Sequence, residues 1–279
     1  MPRTVSQPAI AYETHGERGP RVLLIMGFSM RGALWRPQLE GLKGDHQLAS
    51  FDHRGLGDSA SSGRLWTMAT FAEDALRVCD ALDWETAHVV GVSMGGMIAQ
   101  ELALRAPKRV RSLSLIATHP GGGPLSFLPP TEGLGLFLRA QMPGDGRIDA
   151  IRRLLYPAAY LATCDRAALN ERMRNQLMRP VPRQTLIRQL IAISRHDTRA
   201  RLSSLEMPTL IVKPSLDLLV PPQGSDRLAK AIPHARLVVL EDAGHGAIFQ
   251  RASAVNDAVR RNIHEADLMA LSAGRAIHA

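Results

Sequence analysis

The chain has 279 residues, 45% of them apolar, which suits one α/β core with an inserted lobe and argues against long disordered stretches. A formal charge of +8 suggests a polyanion partner, but His119 to Leu205 holds 13 Arg, no Lys and 6 acidic residues, so the surplus sits in one third of the chain; with no nucleic-acid motif and only 4% aromatics for base stacking, nucleic acid is not an expected partner. Cys79 and Cys164 lie far apart in helix-like segments and indicate no disulfide framework, no apolar run reaches the length of a membrane span, and Met1 to Pro8 lacks an apolar stretch of the signal-peptide kind, leaving the cytoplasm as the default location.

In chain order, Ala9–Thr14 reads as an extra edge strand. Arg21–Met26 is a strand that stops at Gly27, and Gln47–Phe51 is another, ending in Asp52-His53-Arg54-Gly55. Thr70, with Glu73 three residues on, predicts a capping box for a helix over Phe71–Leu82, whose Phe71, Ala75, Val78 and Leu82 share a face. Cys79 lies on that apolar side and reads as core. Ala87–Val92 is a third strand, ending at Ser93; Gly95–Arg105 is helix-compatible up to Pro107, and Val110–Ala117 is a fourth strand. The alternation then breaks. Pro120-Gly121-Gly122-Gly123-Pro124 signals a loop, and helical stretches follow over Leu134–Gln141, Ile148–Tyr160, Arg166–Met178 and Arg183–Ser194. Strands return at Thr209–Val212 and Arg236–Leu240, with helices over Ser225–Ala231 and Ala252–His264. The Ala-rich tail after Glu265 is expected to be a frayed helix or disordered.

The strand segments are β-branched and apolar on both faces, as buried parallel strands are. The fold class is therefore α/β: a mostly parallel sheet with helices on both faces. Residues 1–118 and 206–264 form its core, 119–205 an inserted helical cap and 265–279 a tail.

Gly91-Val92-Ser93-Met94-Gly95 spells G-x-S-x-G between a strand and a helix start. A serine on so sharp a turn has a strained backbone, and side chains at 91 and 95 would collide, so both are glycine. The turn lifts the Ser93 hydroxyl to the carboxyl end of the sheet. A neutral serine is a poor nucleophile, and it needs a base oriented by a carboxylate. Asp217 sits in the loop after Thr209–Val212, just before Val220-Pro221-Pro222. His245 sits between glycines in the loop after Arg236–Leu240. Ser93, Asp217 and His245 thus fall at one edge of the sheet, where open parallel sheets bind ligands. Glu241 and Asp242 stand too near His245 along the chain to be first choices as the orienting acid. His53, His88 and His234 flank structural elements; His196 falls in the cap and His264 in the last helix. His119, at the start of the cap, is a candidate to line the pocket.

On these strings the chain resembles the α/β-hydrolase superfamily over roughly residues 9 to 264, and is similar to its esterase, lactonase and cofactor-free haloperoxidase branch. The supporting segments are Leu23 to Phe28, Phe51 to Ser59, Gly91 to Gly96, Asp217 with Val220-Pro221-Pro222, and Gly244-His245. The resemblance implies an oxyanion hole from the backbone N–H groups of Phe28 and Met94. Met26-Gly27 stands where many relatives have His-Gly. The Asp52–Ser59 string is expected to fix the loop beside the site.

The implied reaction is hydrolysis of a carboxylic ester or lactone through an acyl-serine, with no metal or organic cofactor. Serine at 93 argues against dehalogenase or epoxide hydrolase chemistry, for which the resemblance implies aspartate. A carbon–carbon bond hydrolase with the same three residues and a non-catalytic ligand-binding protein stay open as alternatives, and so does a homo-oligomer. Leu134, Leu136, Phe137, Leu138, Met142, Leu154, Leu155 and Met178 suggest a small to medium apolar substrate if they line the pocket, although packing among cap helices is the simpler role.

Overall fold

A computed structural model describes residues 1–279 apart from 64, 123–128, 130, 143, 145, 175–179 and 278–279. Gly123, Pro124 and Met178, named above, lie outside the described residues. The strands β1 (Tyr12–His15), β2 (Arg21–Ile25), β3 (Gln47–Phe51), β4 (Ala87–Val92), β5 (Val110–Ile116), β6 (Thr209–Pro214) and β7 (Arg236–Leu240) form one sheet in the order β1-β3-β2-β4-β5-β6-β7. β1 pairs with β3 antiparallel, and every other pairing is parallel. Parallel neighbours need long crossovers, and helices supply them. These are α1 (Arg36–Leu42), α2 (Met68–Ala81) and α3 (Met94–Arg105), then α4 (Thr131–Gln141), α5 (Gly146–Leu155), α6 (Ala158–Thr163), α7 (Arg166–Arg172) and α8 (Arg183–Ser194), all five between β5 and β6, and α9 (Gln223–Ala231); α10 (Ala247–Gln250) and α11 (Ala252–Ile277) follow the last strand.

Side chains alternate across a strand, so β2 serves two cores. Leu23 and Ile25 join Phe71, Ala75 and Val78 of α2, Ile98 and Leu102 of α3, and Leu228 of α9. Val22 and Leu24 join Leu39 and Leu42 of α1 and Val255, Val259 and Ile263 of α11. Cys79 is buried in the first core, and burial pushes its thiol up to about 12. β7 departs from the expectation of strands buried on both faces: Leu237 and Val239 are exposed, because β7 is an edge strand.

Other boundaries also differ. The capping box of α2 is formed by Thr67 and Thr70, not by Thr70 and Glu73; Thr67 Oγ1 accepts from the Thr70 N–H at 3.1 Å. The helix expected over Ile148–Tyr160 is two, because Pro157 cannot donate the hydrogen bond that would continue α5 into α6. The tail after Glu265 is not frayed at its start but continues α11 as far as Ile277. Asp267 anchors it to the sheet through Arg111 at 2.6 Å and His88 at 3.3 Å. Among the described residues no helix is long and apolar enough to cross a membrane.

Two polar clusters fix the loops around the carboxyl edge. Asp74 of α2 is fully buried and accepts from Arg54 Nε and Nη2 at 2.6 and 2.7 Å, with Arg77 at 2.6 Å. This holds the 52–59 loop onto α2. The chain segments that leave β5 and approach β6 are tied together where Thr198 N–H donates to Pro120 O at 2.9 Å and Gly121 bridges to Asp197. His119 and His196 are buried at this junction with ring centroids 6.2 Å apart. Burial, the neighbouring imidazole and Arg227 push His119 down to about 3, and burial pushes His196 down to about 4.

Both clusters predict measurable stability effects. Asp74→Ala strands the buried Arg54 charge, and urea unfolding should show a loss of about 3–5 kcal/mol. His119 and His196 are held neutral in the folded chain but titrate near 6.5 when unfolded. Above that pH they add no pH dependence. Below it the unfolded chain binds protons that the folded chain refuses, so unfolding free energy should fall by up to about 1.4 kcal/mol per pH unit per histidine down to roughly pH 4. His196→Asn should make that slope shallower in urea titrations.

Candidate active site

The G-x-S-x-G segment is the junction of β4 and α3, and Ser93 sits there at φ 55°, ψ −123°. That left-handed backbone costs a non-glycine residue on the order of 1–3 kcal/mol. The surroundings enforce it. Ser93 N–H donates to Ile116 O at 2.9 Å, and Thr118 Oγ1 donates to Ser93 O at 2.8 Å. The two glycines are needed for close approach rather than for mutual clearance of side chains. A Cβ at Gly91 would strike the Gly95 carbonyl oxygen, and one at Gly95 would strike the Ile25 and Met26 carbonyls of the neighbouring strand end. α3 is thereby seated directly against β2, with its first N–H groups beneath Ser93.

Asp217 and His245 come together as the chain order suggested. Asp217 lies in the turn after β6 and His245 in the turn after β7; His245 Nδ1 donates to Asp217 Oδ2 at 2.7 Å. The other carboxylate oxygen, Oδ1, accepts from the Leu219 and Val220 N–H groups, each at 2.8 Å. Both oxygens are therefore engaged and the carboxylate cannot rotate freely. A carboxylate at Nδ1 fixes the tautomer, which leaves the Nε2 lone pair as the available base. Asp242 and Glu241 take no part: the Asp242 N–H and the Glu241 carbonyl make loop hydrogen bonds to Ser215 and Arg251.

Ser93 and His245 line the same cavity of about 420 Å³. Among the described residues the His245 ring bonds only to Asp217, and no Ser93–His245 hydrogen bond is formed. Such bonds commonly tighten only when substrate is bound. Gly27, at the end of β2, packs against Ser93: a Cβ there would lie 3.2 Å from the Ser93 Cβ and 3.7 Å from its Oγ. Phe28 follows and also lines the cavity. Among the described residues, neither the Phe28 nor the Met94 N–H donates to a protein acceptor.

The loop carrying Phe28 is braced by the 52–59 string, as expected, and by Gln189, for which the sequence held no signal. His53 Nε2 donates to Met26 O at 2.7 Å. Its ring is fully buried edge-on to Phe51 and Phe71, and burial lowers its basicity, so it stays neutral. Gln189 of α8 accepts from the Ser29 N–H at 2.9 Å. Asp52 Oδ1 accepts from Gly32 N–H at 2.9 Å, and Ser59 Oγ donates to Asp52 O at 2.6 Å, so the 52–59 string does pin the loop beside the site. The signal for His53 was its place in that string. Thr118 and Gln189 carried no comparable signal.

The residues between β5 and β6 close the cavity from above. Phe137, Leu154 and Leu155 line it, whereas Leu138 and Met142 are exposed and Leu134 and Leu136 are half-buried. Packing among these helices is carried instead by Tyr156, Leu169 and Met173. His119 does not line the cavity; it is buried behind it, where its Nδ1 accepts from Gly121 N–H at 3.0 Å. Among the described residues no cluster of three or more His, Cys, Asp or Glu side chains could hold a metal.

Residues 20–252 match the family defined by the alpha/beta hydrolase fold. The chain belongs to that family. It is 35% identical over 238 residues to RutD of Azorhizobium caulinodans, a protein named as a candidate carbamate hydrolase, with 84% of this chain and 87% of that one covered. The enol-lactonase of Burkholderia xenovorans LB400 superposes with a TM-score of 0.81 at 25% identity, covering 94% of this chain and 100% of that one. A hydrolase from Pseudomonas aeruginosa gives 0.79 at 27% identity, with 94% and 97% covered. The chain is thus an alpha/beta hydrolase with lactonase-like and RutD-like neighbours.

The bracing role of His53 has a direct check. His53→Leu removes the one donor to the Met26 carbonyl among the described residues and leaves that group buried and unpaired. Chemical denaturation should show a loss of about 1–3 kcal/mol, and the melting curve should stay cooperative.

Proposed function

We propose that the chain is a serine hydrolase that cleaves a carboxylic ester or lactone through an acyl-serine. The observation that carries this reading is that His245, locked by Asp217 with its Nε2 free, opens on the same cavity as Ser93 on its strained turn. In this reading Ser93 Oγ attacks the substrate carbonyl carbon while His245 Nε2 takes the hydroxyl proton. The oxyanion is held by the Phe28 and Met94 N–H groups, for which no competing acceptor is seen. His245 then returns the proton to the leaving alcohol, and a water activated by the same imidazole releases the acid. Residues 119–205 act as a cap over a core of 1–118 and 206–264, and their apolar side chains exclude water from the reacting carbonyl.

The same groups suit a carbamate carbonyl, and the likeness to RutD supports including carbamates among the substrates. The lactonase neighbour supports a cyclic ester. A screen of acyl esters of graded length, small lactones and carbamates tests the choice.

Ser93 should be labelled by a fluorophosphonate, and His245→Ala should abolish the labelling. Ser93→Ala should lower kcat on the best ester by on the order of 10⁴–10⁶, and Asp217→Asn by about 10⁴, with both variants folded by circular dichroism. A native chain that is not labelled and turns over none of the panel would instead make it a ligand-binding protein on this fold; turnover of diketones with poor ester activity would make it a carbon–carbon bond hydrolase.

A further inference from the structure

Two arginines are the charged groups of the cavity, among the described residues, that the proposed chemistry does not use. Arg147 and Arg172 both line it, and no Asp or Glu does among the described residues. Three other arginines between β5 and β6 are matched with carboxylates: Arg152 with Asp149 at 2.8 Å, Arg199 with Asp197 at 2.8 Å, and Arg201 with Glu101 at 2.5 Å. Among the described residues, the two that face the cavity meet only neutral groups. Arg147 Nε donates to Ala140 O at 3.0 Å. Arg172 Nη2 donates to Tyr156 Oη at 2.9 Å, and its guanidinium carbon lies 4.2 Å from the Phe249 ring centroid.

This seat is built rather than incidental. Phe249 belongs to α10, the short helix that begins just after His245, so the guanidinium is stacked on the same segment that carries the base. Tyr156 is buried, and burial pushes its phenol up to about 12, so it stays protonated and does not neutralise the arginine. A cation held among apolar walls is stabilised when an opposite charge arrives with matching geometry. The guanidinium fork matches a carboxylate, and stacking on an aromatic ring leaves its in-plane N–H groups free to donate.

We propose that Arg172 is a specificity-determining residue that takes a carboxylate carried by the substrate away from the scissile carbonyl, with Arg147 adding a second positive charge to the same cavity. The preferred substrates are then half-esters of dicarboxylic acids, or lactones bearing a free acid. The inference rests on the reading of Ser93 as nucleophile, and its tests separate the two.

The first test measures kcat/KM for monomethyl esters of straight C4 to C8 dicarboxylic acids, each against the methyl ester of the matching monoacid. At one or more lengths the acid ester should be preferred about ten- to hundred-fold. KM for that series should rise with added NaCl. Arg172→Gln should bring the ratio to about one, and Arg172→Lys should restore part of it. A wild-type ratio at or below one at every length, with neutral esters hydrolysed, overturns the role of Arg172 and leaves Ser93 as nucleophile intact. The second test needs no turnover. Calorimetry should show adipate or glutarate binding to the whole chain at least tenfold more tightly than to Arg172→Gln, with both folded. Equal binding, or no binding to the wild type, overturns the proposal whatever the fate of the ester assay.

Discussion

The close approach of α3 to the end of β2 is the constraint on which the site depends. Ser93 holds a left-handed backbone only because Gly91 and Gly95 let the turn and the helix start sit against the carbonyls of Gly95, Ile25 and Met26. That same contact brings Gly27 to the Ser93 side chain and so sets the distance between the serine and the loop that carries Phe28. One packing contact therefore places the hydroxyl, the helix N-terminus and the second loop together. The cost of the strained residue is spread over the Ile116 and Thr118 hydrogen bonds and the burial around them.

Side chains that do not line the cavity complete the arrangement. The Arg54–Asp74 pair holds the 52–59 segment on α2, His53 carries that restraint to Met26, and Gln189 ties the next residues to α8. The chain of contacts runs from a buried ion pair to the backbone groups that face the cavity. Neutral His53 suits this place because its protonation would set a charge in an aromatic core, and burial opposes that. The helices between β5 and β6 add an apolar roof and, with Arg172 on Phe249, a fixed positive charge. Core and insertion thus meet at the cavity: the sheet edge contributes Ser93 and His245, and the inserted helices line it with Phe137, Leu154 and Arg172.

The order of strands and helices was legible because buried parallel strands and amphipathic helices have different periods. β3, β4 and β7 fall on the predicted residues. Errors fell where a local signal had a close competitor. Thr67 and Thr70 outcompeted Thr70 and Glu73 as a capping pair, Pro157 broke a periodic run, and the exposed face of β7 followed from its edge position, which no single strand encodes. The alanine-rich tail looked unpatterned because its anchor, Asp267 to Arg111, spans 156 residues of chain.

The sequence by itself determined the fold family, the strand–turn–helix around Ser93 and the loop positions of Asp217 and His245. These depend on short-range patterns of glycine, apolar period and strand ends. Only the tertiary structure decided that Asp217 uses both oxygens, that the 52–59 string acts through the His53 bond to Met26 and is joined by Gln189, that His119 does not line the cavity, and which two of the inserted arginines face it without a carboxylate partner among the described residues. Each of those outcomes is a contact between residues far apart in the chain. Such contacts are set by how helices and sheet pack in three dimensions, and a one-dimensional pattern holds no record of them.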